Sequence, residues 1–463
     1  MTPFETLLVL LASTALASTA DSREQAIPKP VVKNGVLQLP LVTIHPEPDT
    51  ADGNLTRRQV AADFDMRDYT GPRAVAALGI PLQVGTPPQT VFVEPDTGSS
   101  PFWVPNLPPG LSREGPLPVY FDLAASKTSR DLHRPEKMSY AGEKAYTQLF
   151  MDEVAIAGRS LGMFRMGVAN VSQSNLGRIV GTLGLLPPSA PEWADSFILK
   201  RLVDRKITQS QAFGAGIRNR GRGSLTLGGY DTAKFSGRLE KFPIVPNKND
   251  NYVMKMQTVT LSTGGGKQTT VLDTSLTDGK PVTIGLDTGA PVVVFAYEIF
   301  KAVAQNLGAG LEKGLVTLPC DLVDSKGSLD LRMSDSTTIS LPLADLLVGR
   351  LDDGKRCMMA IQPYLNSRLP SHVWLGTHFL RRSFVVYDPI DRNIYIAAAA
   401  DCGSNLVAIN GAMPDDVTGD CAPEAQEIDP PTDKVQSELL GLTEEEIAAY
   451  LDPRIDDAAD GKA

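Results

Sequence analysis

The sequence predicts an all-β chain built of two matching halves, and three observations carry that prediction. The tripeptide Asp-Thr-Gly occurs twice, at Asp96-Thr97-Gly98 and at Asp287-Thr288-Gly289. Each copy is followed at nearly the same distance by a leucine-glycine pair: Gly184 of Leu183-Gly184 lies 88 residues after Asp96, and Gly376 of Leu375-Gly376 lies 89 after Asp287. The composition, 42% apolar with 40 glycines and 35 prolines among 463 residues, suits a turn-rich β protein better than a helical one. A duplication of this kind brings two carboxylates face to face.

Residues 1–20 hold the apolar run Leu7-Leu8-Val9-Leu10-Leu11 and then small residues up to Ala17 or Ala20. They read as a secretory signal peptide, with the departure that the first residues carry Glu5 and no Lys or Arg. The run is too short for a membrane anchor. Residues 21–58 are polar and proline-rich and end at Arg57-Arg58. In a secreted chain that dibasic pair marks a processing site, so the stretch is expected to be a propeptide; a plain linker is the alternative.

A first lobe is expected over 59–235 and a second over 236–400. Around Asp96, Val91-Phe92-Val93 and Phe102-Trp103-Val104 read as strand, tight turn, strand. Val282-Thr283-Ile284 and Val292-Val293-Val294-Phe295 repeat that reading around Asp287. Thr263-Gly264-Gly265-Gly266-Lys267 lacks the spacing of a phosphate loop and sits between alternating patterns, which predicts a hairpin tip.

The net charge of −10 is unevenly spread. Sixteen acidic against three basic residues give 401–463 a charge of −13, which leaves +3 for the 400 residues before it. The end of the chain therefore reads as a solvated acidic tail. Within it Thr443-Glu444-Glu445-Glu446 forms a capping box, which predicts a short helix.

Several chemistries find no support. His45, His133, His372 and His378 are scattered without metal-ligand spacing, no His-Glu-x-x-His motif occurs, and no nucleophile-elbow serine is present. No basic stripe accompanies aromatics, so nucleic-acid binding is not expected. The four cysteines, Cys320, Cys357, Cys402 and Cys421, favour two disulfides in a secreted chain and leave three pairings open. Asn54 and Asn170 head glycosylation sequons.

From about residue 70 to 400 the chain resembles the pepsin-like aspartic proteases, in particular their secreted fungal branch. The residues that carry the resemblance are Val84-Gly85-Thr86-Pro87-Pro88-Gln89, Asp96-Thr97-Gly98-Ser99-Ser100, Trp103-Val104-Pro105, Leu183-Gly184-Leu185 and Gly228-Gly229. They continue with the second Asp-Thr-Gly, Leu375-Gly376, Phe379-Leu380 and Val385-Val386-Tyr387-Asp388. The resemblance implies a bilobal all-β fold of two pseudo-symmetric lobes with a cleft between them. It also selects the pairing of Cys320 with Cys357, leaving Cys402 with Cys421.

The implied activity is aspartic endopeptidase, with Asp96 and Asp287 as its dyad. Hydrolysis by water needs a base to activate the water and an acid to protonate the carbonyl oxygen. Two carboxylates a few ångströms apart supply both, because one proton is held between them; pepsin is itself the standing example, so the principle is borrowed from the family. Gly98 and Gly289 let the backbone turn tightly beside the carboxylates, and the resemblance gives Thr97 and Thr288 a hydrogen-bonding role across the dyad. Ser99 can donate to Asp96, whereas Ala290 offers Asp287 no donor, so that carboxyl is expected to titrate higher. Pro101 and Pro291 depart from the family pattern.

Tyr140 resembles the tyrosine of the hairpin that closes over the cleft, with Trp103 as its hydrogen-bonding partner and Gly142 near the tip. The resemblance further implies polypeptide substrates, a monomer without metal or organic cofactor, and the propeptide as an intramolecular inhibitor. The destination it implies is extracellular, the cell wall or the vacuole. The rival reading is a non-catalytic pepsin-like protein that binds peptides in its cleft. A structural cell-wall protein has little support, because the chain lacks a Ser/Thr-rich stalk.

Overall fold

The computed structural model describes residues 29–44 and 77–423, apart from 112, 114–117, 141–142, 175–179, 190, 219–222, 248–250, 274, 276–278, 280–281, 313–314, 352–353 and 365–371. The expected signal peptide, Arg57-Arg58, Asn54, Gly142 and the capping box at 443–446 lie outside the described residues.

Strands form the first half. They are β1 (Val36–Ile44), β2 (Ala77–Val84), β3 (Gln89–Asp96), β4 (Phe102–Pro105), β5 (Arg130–Tyr140), β6 (Glu143–Ile156), β7 (Arg159–Ser174), β8 (Gly181–Gly184), β9 (Phe213–Gly216), β10 (Gly223–Leu227) and β11 (Gly229–Asp231). The second half contributes β12 (Phe235–Pro243), β13 (Val253–Met256), β14 (Val282–Leu286), β15 (Val293–Ala296), β16 (Ile361–Tyr364), β17 (His372–Leu375), β18 (Ser383–Asp388) and β19 (Asn393–Ala399). A last short strand, β20 (Leu406–Ala408), follows. β-Branched and aromatic residues crowd these segments, and such side chains pack well on a pleated, buried surface. The predicted tip at 263–267 closes a hairpin between Thr258–Ser262 and Gln268–Leu272.

One sheet runs β12-β19-β18-β9-β10-β1-β2-β3-β8-β4-β7-β6-β5, so strands of both halves share it. At the junction Phe213 of β9 stacks on Tyr387 of β18 with centroids 4.9 Å apart, and Tyr252 meets Tyr387 edge-on at 4.8 Å. The Tyr252 hydroxyl donates to the Leu185 carbonyl at 2.9 Å, tying the start of the second half to the strand end behind Asp96. The second half has its own sheet, β13-β14-β17-β15-β16. A single apolar core passes beneath both.

Two of the expected segments contribute to the folded body. The stretch expected to be a propeptide contains β1, whose Val36, Leu37, Leu39, Leu41, Val42 and Ile44 are buried at the centre of the shared sheet. Each such side chain contributes about 1.5–3 kcal/mol on burial. The acidic tail begins later than residue 401: β20 pairs with β11, and Ile409, Met413 and Val417 pack on Phe235, Phe384 and Tyr395. In both places the average polarity of a long stretch hid a short apolar pattern. The structure pairs Cys320 with Cys357 and Cys402 with Cys421, the second bridge clamping this C-terminal strap.

Candidate active site

Each Asp-Thr-Gly leaves the sheet in the same way. β3 runs parallel to β8 with Asp96 opposite Gly184, and β14 runs parallel to β17 with Leu286 opposite Leu375. The Leu185 amide donates to the Asp96 carbonyl at 2.8 Å, and the Asp287 amide donates to the Leu375 carbonyl at 3.1 Å. The leucine-glycine pairs thus end the strands that carry the two loops. A side chain on Gly184 would lie 2.2 Å from the Ser100 backbone, and one on Gly376 would lie 2.3 Å from the Ala290 carbonyl oxygen. Glycine is what lets these chains cross.

The loops meet closely. A Cβ placed on Gly98 would fall 2.6 Å from Asp287 Oδ2, and one on Gly289 would fall 2.5 Å from Asp96 Oδ1. The glycine of each loop therefore lies against the carboxylate of the other. Behind the carboxylates the threonines exchange bonds: Thr97 N donates to Thr288 Oγ1 at 3.0 Å and Thr288 N donates to Thr97 Oγ1 at 2.9 Å. Their hydroxyls reach further, Thr97 to the Leu286 carbonyl at 2.9 Å and Thr288 to the Pro95 carbonyl at 2.6 Å. Both threonines are buried, so these bonds face no competition from water.

The two carboxyls differ in their donors. Asp96 Oδ1 accepts from Gly98 N at 2.7 Å, and its Oδ2 accepts from Ser99 Oγ. Asp287 Oδ1 accepts from Gly289 N at 2.9 Å. Burial first, and then the adjacent Asp96 with which it shares a hydrogen bond, push the Asp287 carboxyl well above the usual range, against a smaller opposing pull from Gly289 N.

Trp103 Nε1 donates to the Tyr140 hydroxyl at 3.0 Å, which ties the end of β5 to β4. Trp103 is fully buried with Met138, Leu149 and Trp193, and Tyr140 packs on that cluster. Asn170 is exposed on β7, where its Oδ1 accepts from Asn106 Nδ2 at 2.9 Å. Pro291, behind the second loop, offers its carbonyl to Thr377 Oγ1 at 3.0 Å and to the His378 ring. Among the described residues no three His, Cys, Asp or Glu side chains gather as a cation site.

Sequence reasoning missed Glu94. It is buried and adds to the upward push on Asp287. The signal was present: a charged residue interrupts Val91-Phe92-Val93, two positions before Asp96 and so on the same face of the strand.

This fold, with one Asp-Thr-Gly loop from each half meeting the other, is the bilobal all-β fold of the pepsin-like aspartic proteases, and comparison with known proteins agrees. The family described as eukaryotic aspartyl protease matches residues 79–399, and the chain belongs to that family of aspartic-type endopeptidases. It is 26% identical over 421 residues to a probable aspartic-type endopeptidase opsB of Aspergillus fumigatus, covering 83% of each chain. It is 26% identical over 349 residues to secreted aspartic protease 4 of Candida albicans, covering 71% of this chain and 78% of that one. Among solved structures, the aspartic proteinase from Irpex lacteus superposes with a TM-score of 0.58 at 16% identity, covering 79% of this chain and 98% of that one, a likeness of fold.

Proposed function

We propose that the chain is a secreted endopeptidase in which Asp96 and Asp287 activate one water molecule for attack on a peptide carbonyl. The observation that carries this reading is the crossed contact of Gly98 with Asp287 and Gly289 with Asp96, which sets the two carboxyls side by side. Asp287 keeps the shared proton and hands it to the carbonyl oxygen, and Asp96 takes the proton of the attacking water. The titration belongs to the pair. Extended polypeptides are the substrate class, held as an added strand between the lobes. Tyr140, placed by Trp103, closes over them. The enzyme acts as a monomer, and residues upstream of Arg58 hold it inactive until processing.

The test is cleavage of a mixed peptide library by protein processed at Arg58, from pH 3 to 7, with and without the transition-state mimic pepstatin. Cleavage that pepstatin blocks is expected. Folded, processed protein that cleaves nothing would replace this reading with that of a peptide-binding protein.

A further inference from the structure

Four polar side chains form a row across neighbouring segments of the first half. β6 has β5 on one side and β7 on the other, and β4 lies beyond β7. Alternate residues of these strands face two cores: Val104, Phe150, Met166 and Val168 enter the main one, while Ala145, Leu149 and Ala169 join Trp103 and Trp193 in a smaller one. On the first face the apolar pattern then stops. Its next residues are Asn106 after Val104, Asn170 after Val168 and Tyr146 after Gln148, with Lys137 opposite Tyr146 on β5.

The row is tied at both ends. Asn106 Nδ2 donates to Asn170 Oδ1 at 2.9 Å, and Leu123 N donates to Asn106 Oδ1 at 3.3 Å, so the Asn170 oxygen is held from the β4 side. The Lys137 ammonium lies 5.7 Å from the centre of the Tyr146 ring. Between these ties the ladder slips. Tyr146 pairs with Val171 and Thr147 with Ala169, which leaves Asn170 as the extra residue of a β-bulge. A bulge re-aims the side chain it carries. Asn170 is exposed, and Tyr146, 45% exposed, is the one exposed aromatic among the described side chains.

Asn170 also heads the sequon Asn170-Val171-Ser172. With Oδ1 turned to Asn106, its Nδ2 points the other way, to the side on which Tyr146 lies. Lys137 covers the Tyr146 ring from β5, so the opposite face of the ring is turned to β7. We propose that Asn170 carries an N-linked glycan whose first N-acetylglucosamine lies on that face of Tyr146. In the transfer, Nδ2 bonds to C1 of the sugar, the bond from C1 to the diphosphate of a lipid-linked oligosaccharide donor breaks, and Nδ2 gives up one proton.

The C–H face of the sugar covers ring surface that otherwise meets water, and its hydroxyl edge stays hydrated. The sugar thereby bridges β7 and β6. Its contact falls three pairs back from the Tyr140–Glu143 pair, so it steadies the arm that ends in Tyr140. The proposal rests on the secretory route proposed above, where the donor is met, and is independent of catalysis at the dyad.

For the test, the full chain from residue 21 is expressed behind a eukaryotic host's own secretory leader, in an Asp96→Asn background that removes self-digestion. Peptide mapping after a glycosidase that turns a glycosylated asparagine into aspartate is expected to show the conversion at residue 170. Hydrogen exchange along β5 and β6 then reads the contact. Ser172→Ala, which abolishes the sequon and keeps Asn170 beside Asn106, should speed exchange there roughly fivefold. Should that variant not fold, the same glycosidase applied to the folded protein gives the bare arm. Trimming the glycan to its first sugar should preserve the protection. Tyr146→Ala should remove it from the glycosylated protein and change little in the Ser172→Ala background. An unmodified Asn170 in the secreted protein overturns the proposal, as does a Tyr146→Ala effect of equal size with and without the glycan. Failure of residues 1–20 to direct secretion, or of the dyad to cleave, would leave these readouts unchanged.

Discussion

At Asp96 the carboxylate takes hydrogen bonds from Gly98 N and Ser99 Oγ, whereas at Asp287 the matching loop offers Gly289 N and, at residue 290, an alanine. The backbones of the two loops are otherwise near copies, each set by a parallel neighbour ending in leucine-glycine and each holding the other through a threonine. The difference separates two jobs. In the proposed mechanism the repeated backbone supplies proximity, and the unrepeated side chains bias which carboxyl keeps the proton. A fully symmetric pair would leave that choice open.

The comparison breaks most completely where the proposed base is removed. Asp96→Asn should lower kcat by at least about 10³-fold, the scale of a positioned general base. Peptide turnover by variant protein with an unchanged circular dichroism spectrum measures this, and near-normal turnover would deny Asp96 its role. Next comes proximity. Gly289→Ala would place a methyl 2.5 Å from Asp96 Oδ1, so the loops must part. A displacement of that order should cost roughly 10²-fold in kcat/KM. If the variant instead matches the parent protein, the crossed packing of glycine on carboxylate is not what holds the dyad.

The loops were legible in the sequence because their information is local. Asp96-Thr97-Gly98 and Asp287-Thr288-Gly289 sit inside short apolar strands, and a repeat of a local pattern can be seen without knowing any contact. β1 was not legible for the opposite reason. Its partners lie far away in the chain, Leu39 facing Leu225, and its nine residues are embedded in a polar, proline-rich stretch. The strap after residue 401 was hidden in the same way, since Ile409, Met413 and Val417 are outweighed by acidic neighbours until their packing on Phe235 and Phe384 is seen. Glu94 was visible as an interruption, but its effect on Asp287 depends on the closeness of two strands from different halves.

The threonine exchange is the most symmetric part of the site, and it predicts symmetric costs. Thr97→Val removes the acceptor of Thr288 N and the donor to the Leu286 carbonyl. Thr288→Val removes the acceptor of Thr97 N and the donor to the Pro95 carbonyl. Each leaves buried backbone groups unsatisfied, which costs about 1–3 kcal/mol. Denaturant titration should show similar losses for the two variants. The double variant should lose less than their sum, because both act on one exchange. Additive losses would mean that the two halves are held independently.

The smallest effect tests the asymmetry itself. In the proposed mechanism the active pair carries one proton, and the high-pH limb of the activity profile falls where that proton leaves Asp287. Burial and the neighbouring Asp96 hold it on, and alanine at 290 offers nothing to stabilise the carboxylate that would form. Ala290→Ser would add a donor to the charged form and so lower the carboxyl's pKa, moving the high-pH limb toward acid by about one unit, equivalent to about 1.4 kcal/mol. The profile comes from kcat/KM of the Ala290→Ser variant and the parent protein, measured across pH on one peptide. A limb that stays fixed in Ala290→Ser, or shifts toward alkali, would show that the alanine does not set where the dyad gives up its proton.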